Sequence, residues 1–282
     1  MPAESAESAE SAESPAAQAN TVAFAKPAAT VVLSRDTPDG IEILLVERHG
    51  KLRFMSGMHV FPGGSLHSGD SSEQLQTQLT QPPGAQRWPT TPDDPLTHSL
   101  AVTALRETFE EAGLWLGTAC EPSQLRALRD RLLAGEDFAA LLSGAGLSLR
   151  PSLLHPLSRW ITPRSEPIRF DTRFYVARAP HDQTASHDTR ETVSLTWRSP
   201  KQALQDARAG QLLLSPPTYL TLDELEDVSS TDALIAHCAS REPPLIEPIM
   251  RVEGNVRTVL YPGDPEHPIK QRALKGPTRV VF

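Results

Sequence analysis

The sequence predicts an α+β domain built around a mixed sheet. Strand-like apolar runs and helix-period segments alternate along the chain without a regular βαβ rhythm. Apolar residues make up 39% of the 282 positions, enough to bury a sizeable core. Proline is frequent, at 26 residues, so stiff connecting loops are expected between short elements.

The first twenty residues, MPAESAESAESAESPAAQAN, repeat Ala, Glu and Ser. They offer too little apolar surface to offset the entropy of ordering, so a disordered tail is expected over 1–20. Residues 28–34 and 41–47 read as two strands joined by a turn at Pro38-Asp39-Gly40, where Pro presets φ and Gly accepts a positive one. A third short strand, Met58 to Phe61, runs into Pro62-Gly63-Gly64. Residues 71–94 are polar and rich in Pro and read as an inserted loop with one helical turn near Glu73.

A long helix follows. Asp94 suits its N-cap, Pro95 its first position and Gly113 its C′ end, and Leu100, Ala101, Ala104, Leu105 and Ala112 supply an apolar stripe. A helical stretch broken at Gly135 is expected over 122–142. Strands are expected at 158–162, 168–178 and 193–198, and helices at 200–209, 217–226 and 230–240. The last segment, 245–282, reads as short strands joined by a turn at Tyr261-Pro262-Gly263-Asp264.

Charge and composition narrow the function. The formal net charge is −8, and four of those charges come from Glu within the first twenty-five residues, which carry no Lys or Arg. A mildly acidic remainder argues against nucleic-acid binding. Two cysteines, Cys120 and Cys238, are too few for a disulfide framework or a CxxC zinc site. No apolar run reaches the ~20 residues that span a bilayer, and the N-terminus lacks a secretory pattern. The chain ends Val280-Val281-Phe282, which is no peroxisomal address. A soluble, cytoplasmic protein is expected, with no membrane partner.

The chemistry sits in Arg106-Glu107-Thr108-Phe109-Glu110-Glu111-Ala112-Gly113-Leu114. On a helix, Glu107, Glu110 and Glu111 share one face. Such a face by itself is often just solvated. Carboxylates that repel each other would also be stabilised by a hard divalent cation, which favours oxygen ligands and bridges to phosphates. There is no HExxH, GxSxG or P-loop. His181-Asp182 and His187-Asp188 read as solvated loop residues, and His59 as a packed strand residue.

Together with Phe61-Pro62-Gly63-Gly64 upstream, these residues resemble the Nudix box, G-x5-E-x7-R-E-U-x-E-E-x-G-U, with Gly64 opening it. Asp70 stands where the family usually has Glu, and Thr108 takes an apolar position. Thirty-five residues separate Asp70 from Arg106 instead of seven, an insertion of 28. The chain is similar to the nucleoside-diphosphate-linked moiety X motif 19 branch, whose box is interrupted at this place. The likeness continues in Arg169-Phe170-Asp171-Thr172-Arg173-Phe174 and in Leu214-Ser215-Pro216-Pro217-Thr218. A second pattern resembles that of coenzyme A diphosphatases: Leu44, Leu45, Arg48, Arg53, Gly57, Phe61, Pro62, Gly63 and Gly64 match nine of its eleven positions.

The resemblance implies a Nudix α/β/α sandwich with a mixed sheet, a long insertion inside the box and extra C-terminal elements. The divisions expected are a tail over 1–20, a Nudix hydrolase domain over 21–240 carrying the insertion at 71–98, and a C-terminal extension over 241–282 packed on it. It implies Mg²⁺ or Mn²⁺ held by Glu107, Glu110 and Glu111, with the Gly63 carbonyl as a further ligand. Arg106 would orient the carboxylates and Asp70 would stand behind them. Glu191 is the candidate general base, though it also reads as an ordinary loop carboxylate. Arg48 and Arg53, with Gly63 and Gly64, would bind phosphate oxygens, the alternative being that both arginines are surface residues.

The implied reaction is hydrolysis of a pyrophosphate bond. Coenzyme A or acyl-CoA is the expected substrate, giving 3′,5′-ADP and (acyl-)4′-phosphopantetheine. The alternatives are hydrolysis of ADP-ribose or a dinucleotide, and a Nudix-fold regulator that binds a nucleotide without cleaving it. The partner expected is a small CoA-like nucleotide, with homodimerisation left open. The insertion, lying beside the phosphate turn in sequence, is expected to act as a lid.

Overall fold

The computed structural model describes residues 22–51, 55–80, 96–188 and 190–281. The expected tail over 1–20, Arg53, and the Asp94 and Pro95 start of the long helix lie outside the described residues.

The chain opens with two strands, β1 (Ala25–Thr37) and β2 (Gly40–Arg48), and two very short ones, β3 (His59–Val60) and β4 (Gly63–Ser65). A single-turn helix α1 (Glu73–Gln76) is followed by the long α2 (Leu96–Ala112), then α3 (Pro122–Leu133) and α4 (Phe138–Ala145). Strands β5 (His155–Ile161), β6 (Arg169–Arg178) and β7 (Thr192–Arg198) come next. Three helices follow: α5 (Pro200–Arg208), α6 (Pro216–Glu224) and α7 (Thr231–Ala239). The chain closes with β8 (Leu245–Ile246), β9 (Ile249–Glu253), β10 (Val256–Leu260) and β11 (Arg279–Val281).

The main sheet is mixed, as expected. β1 runs parallel to β6 from Ala25↔Arg169 to Ser34↔Arg178, while β5 is antiparallel to β6 and parallel to β8. β1 and β2 pair only near their turn, from Ser34↔Ile43 to Thr37↔Gly40. Beyond that the two strands part. β1 takes β4 as its neighbour, and β2 takes β3 and β7. Phe61-Pro62 therefore steps from one arm of the sheet to the other, and Pro62 accepts a 2.9 Å hydrogen bond from the Val31 amide.

Alternation along the strands sorts the core into two layers. One face, with Val31, Leu33, Leu44 and Tyr175, packs under α2, α3 and α4. The other, with Val32, Ile43, Leu45, Phe174 and Val176, packs under α5, α6 and α7 and the second sheet, β11-β10-β9. Helices thus cover both faces. Among the described residues no helix is long and apolar enough to cross a membrane.

Several details differ from the sequence reading. Gly63–Ser65 is a strand and not only a turn, because the Ala28–Thr30 edge of β1 is open for pairing once β2 has left it. β5 begins at His155, with Pro156 tolerated beside a bulge. The expected turn at Tyr261–Asp264 is present, closed by the Asp264 amide donating to the Tyr261 carbonyl at 3.0 Å on the way from β10 to β11, and the second sheet also has a tight turn the reading did not name, at Gly254, whose φ is +61°. The described part of the insertion does not reach over the phosphate turn. It docks at Leu149, where Thr80 N–H donates to the Leu149 carbonyl and the Leu149 amide donates to the Gln78 carbonyl. The base of the insertion is held by a 2.9 Å hydrogen bond between Ser71 Oγ and Ser99 Oγ.

Candidate active site

Helix α2 is buried on nearly every side: all residues from Ser99 to Phe109 are buried. A polar group there costs free energy unless it finds a partner. Thr108, at the apolar position of the box, donates from Oγ1 to the Ala104 carbonyl at 2.8 Å. The helix ends at Gly113, whose φ of +68° is the left-handed C′ conformation that favours glycine.

Glu107 and Glu111 are buried on this helix, and Glu110 is partly so. Glu107 and Glu111 face the glycine turn, and Glu110 lines the same cavity. The Gly63 amide donates to Glu111 Oε2 at 2.9 Å. Glu107 lies so close over Gly64 that a Cβ there would stand 2.4 Å from Glu107 Oε1. Only glycine fits with the carboxylate in that place.

Arg106 fastens the acids together. Its Nε and Nη2 donate to the two Asp70 oxygens at 2.8 and 2.9 Å, and its Nη1 donates to Glu107 at 2.8 Å and Glu110 at 3.1 Å. Burial works against its charge, but the Asp70 hydrogen bonds and the Glu107, Asp70 and Glu110 charges outweigh burial and hold the guanidinium protonated. Asp70 is buried and also accepts from Thr103 Oγ1 and the His67 amide. It stands behind Arg106, and the interrupted box still brings it there.

The carboxylates carry a strong electrostatic cost. Burial pushes Glu107 up to about 7 against the pull of Arg106, and the Glu110 and Glu191 charges add to the rise. Burial, with Glu107 as its neighbour, raises Glu111 well above the usual carboxylate range, although the Gly63 amide and Arg48 oppose this. Arg106 alone does not balance these charges.

Glu191 stands just ahead of β7 and is exposed, lining the same cavity as the three helix glutamates, Arg48, Gly63 and Gly64. Its position is set by Asp188. The Asp188 carboxylate accepts from the amides of Arg190, Glu191 and Thr192 and from Thr192 Oγ1. The sequence reading took Asp188 for a solvated loop residue. It is 8% exposed, because it gathers the backbone N–H groups of this turn, whereas His181, Asp182 and His187 are exposed as expected.

A second residue was missed. Arg129 on α3 donates from Nε and Nη2 to the Glu110 carbonyl, and from Nη1 and Nη2 to Ser186 Oγ and its carbonyl. It ties the end of α2 to the loop that leads to Glu191. The one sequence signal was an arginine on the buried side of an amphipathic helix.

The NUDT19 Nudix domain family model matches residues 85–225, half of the chain. The chain belongs to the Nudix family. Acyl-coenzyme A diphosphatase NUDT19 of Homo sapiens is 28% identical to it, over 86% of this chain and 76% of that protein. The Gallus gallus protein of the same name is also 28% identical, over 86% and 79%. A crystal structure of a NUDIX hydrolase from Alicyclobacillus acidocaldarius superimposes with a TM-score of 0.64 at 28% identity, covering 79% of this chain and 99% of that one.

Nudix hydrolases generally depend on a divalent metal ion. Among the described residues no three acidic, imidazole or thiol groups are already closed into a ligand set. Arg106 draws Glu107 and Glu110 toward itself instead. The donor set of this Nudix box nevertheless fits a hard cation. Glu111 Oε1 is buried without a hydrogen-bond partner, on the same helix face as two more carboxylates that burial pushes toward neutrality. A divalent ion would supply the missing positive charge and oxygen partner.

Proposed function

We propose that this chain hydrolyses the pyrophosphate bond of coenzyme A or its acyl esters, releasing 3′,5′-ADP and (acyl-)4′-phosphopantetheine, with Mg²⁺ or Mn²⁺ as cofactor. The observation that carries this reading is the gathering of Glu107 and Glu111 against Gly63-Gly64, with Glu110 lining the same cavity, in a chain among whose relatives are proteins named acyl-coenzyme A diphosphatase. The cavity they line holds about 910 Å³. That is near the top of the roughly 300–1,000 Å³ range of small-molecule sites and suits a long nucleotide.

In this reading Glu107, Glu110 and Glu111 hold the cation, with the Gly63 carbonyl as a further ligand. When bound, the ion neutralises phosphate oxygens and makes water more acidic. Glu191, which lines the same cavity, would accept a proton from the water that attacks phosphorus in line. Arg106 keeps Glu107 and Glu110 aimed, and Asp70 keeps Arg106 in place. Arg48, and Arg53 in the same motif, pair with phosphate oxygens, and Gly63 and Gly64 let those oxygens approach the backbone.

The deciding experiment offers CoA, acetyl-CoA, NADH and ADP-ribose with Mg²⁺ or Mn²⁺ and identifies products by mass. Release of 3′,5′-ADP from CoA or acetyl-CoA is expected. Cleavage of ADP-ribose with both CoA species left intact would overturn the substrate.

A further inference from the structure

The cavity does not end at the phosphate turn. From Phe61, the residue before Pro62-Gly63-Gly64, a file of aromatic rings leads away from the carboxylates. Phe61 meets Phe174 at 6.2 Å, Phe174 meets Trp160 at 6.2 Å, and Trp160 meets Tyr261 at 6.4 Å between ring centroids. Tyr261 directly follows β10, so the file runs from the Nudix turn to the C-terminal sheet. Met250 and Val259, paired across β9 and β10, and Phe170 on β6 line the cavity beside these rings.

The two ends of this cavity differ in charge. At the turn stand four glutamates and Asp188 with Arg48 and Arg190. At the far end the described lining offers one acid, Glu166, and one base, Arg257, against a majority of aromatic and aliphatic side chains. A dianionic phosphate gains nothing there, whereas a chain of methylenes is drawn out of water.

We propose that the C-terminal sheet and the aromatic file form the acyl subsite, taking the fatty acyl end of an acyl-CoA while the phosphate-bearing nucleotide half stays on the Arg48 side. This rests on the CoA reading above and assigns specificity to Met250, Val259, Tyr261, Trp160, Phe170 and Phe174. The occupant is an acyl chain and not the adenine ring, because the pyrophosphate at the turn divides the substrate into one multiply charged half and one neutral half. Only the neutral half matches a chamber with no net charge. The insertion in the box, whose described residues dock at Leu149, is not needed for this subsite.

Met250 is partly exposed, so enlarging it fills the chamber without opening the core. The experiment compares kcat/KM for octanoyl-CoA and for CoA in wild type, Met250→Trp and Phe170→Ala, with thermal melting of each variant as a check on folding. It also compares the affinities for the two nucleotides in EDTA, where turnover is arrested. A buried methylene is worth about fourfold in affinity. Displacing two or more should lower the octanoyl-CoA to CoA ratio at least tenfold in Met250→Trp, with a parallel loss in the affinity ratio. A smaller fall is expected for Phe170→Ala. An unchanged ratio in both folded variants, or a loss falling equally on CoA, would overturn the acyl subsite while leaving CoA hydrolysis standing. Wild-type enzyme that cleaves ADP-ribose but neither CoA species would instead remove the substrate reading on which the subsite rests.

Discussion

The Gly63 amide and the Glu111 carboxylate, 48 residues apart in sequence, are joined by a 2.9 Å hydrogen bond. It satisfies one Glu111 oxygen and leaves Oε1 buried without a partner. Glu111→Gln should keep the fold, since it removes a buried charge and an amide oxygen can still accept from Gly63. Activity should fall roughly a thousandfold, about 4 kcal/mol of transition-state stabilisation, if a cation ligand is lost. Steady-state kinetics beside a melting curve separate the two effects, and near-wild-type rates would remove Glu111 from the ligand set.

Gly64 tests the same contact from the other side. In Gly64→Ala the new methyl group meets the tip of Glu107, a side chain that can swing away. Stability should change by no more than about 1 kcal/mol, while kcat falls by at least about tenfold because the carboxylate is displaced. A stability loss with normal kcat would contradict the proposed role of Glu107.

The carboxylates also make a statement about pH. Burial raises Glu107 to about 7 and Glu111 well above the ordinary value near 4.5. Both folded values lie above the unfolded ones, so each contribution to stability is full below about 4.5 and falls as pH rises, that of Glu107 being lost through about 7. A divalent cation binds the ionised forms and offsets that loss. The rise in melting temperature on adding Mg²⁺ or Mn²⁺ should therefore be larger at about pH 8 than at about pH 5.5. It should shrink in Glu111→Gln. An equal rise at both pH values would argue against a carboxylate-bound ion.

Asp70→Asn would break the paired hydrogen bonds to Arg106 in a buried setting, at a cost of about 3 kcal/mol in urea unfolding. With Arg106 loosened, kcat should fall more than KM rises, because the helix carboxylates lose their alignment. Unchanged kinetics in the folded variant would reduce Asp70 to a structural residue.

Asp188→Ala would strip the acceptor from three amides at the start of β7, costing about 2 kcal/mol. If Glu191 is the general base, kcat should fall in this variant with KM little changed, and should fall further in Glu191→Gln. A wild-type kcat in Glu191→Gln would exclude Glu191 from proton transfer.

Much of this was legible in the residues. The helix carboxylates and Gly113 follow from local spacing, and the mixed sheet follows from the irregular order of strands and helices. The place of Asp70 behind the carboxylates was legible only through the family resemblance, and its direct pairing with Arg106 was not, because sequence distance says nothing of where a long excursion returns. Asp188 and Arg129 were missed for a related reason. Each earns its burial by binding backbone groups, Asp188 the amides of its own turn and Arg129 the carbonyls of Glu110 and Ser186, and such bonds leave no periodic trace. The short strand at Gly63 was hidden because it exists only where β2 has parted from β1.

The Ser71–Ser99 hydrogen bond has a consequence for how such a chain can change over time. It closes the two ends of the inserted segment against each other, 28 positions apart, before the chain reaches the glutamates. Lengthening a flexible segment beyond such a clasp costs only about 0.6 kcal/mol per doubling. Whole peptides could therefore be spliced in or trimmed out at this point while the hydrolytic residues keep their alignment, which makes the interrupted box a tolerant site for grafting new sequence.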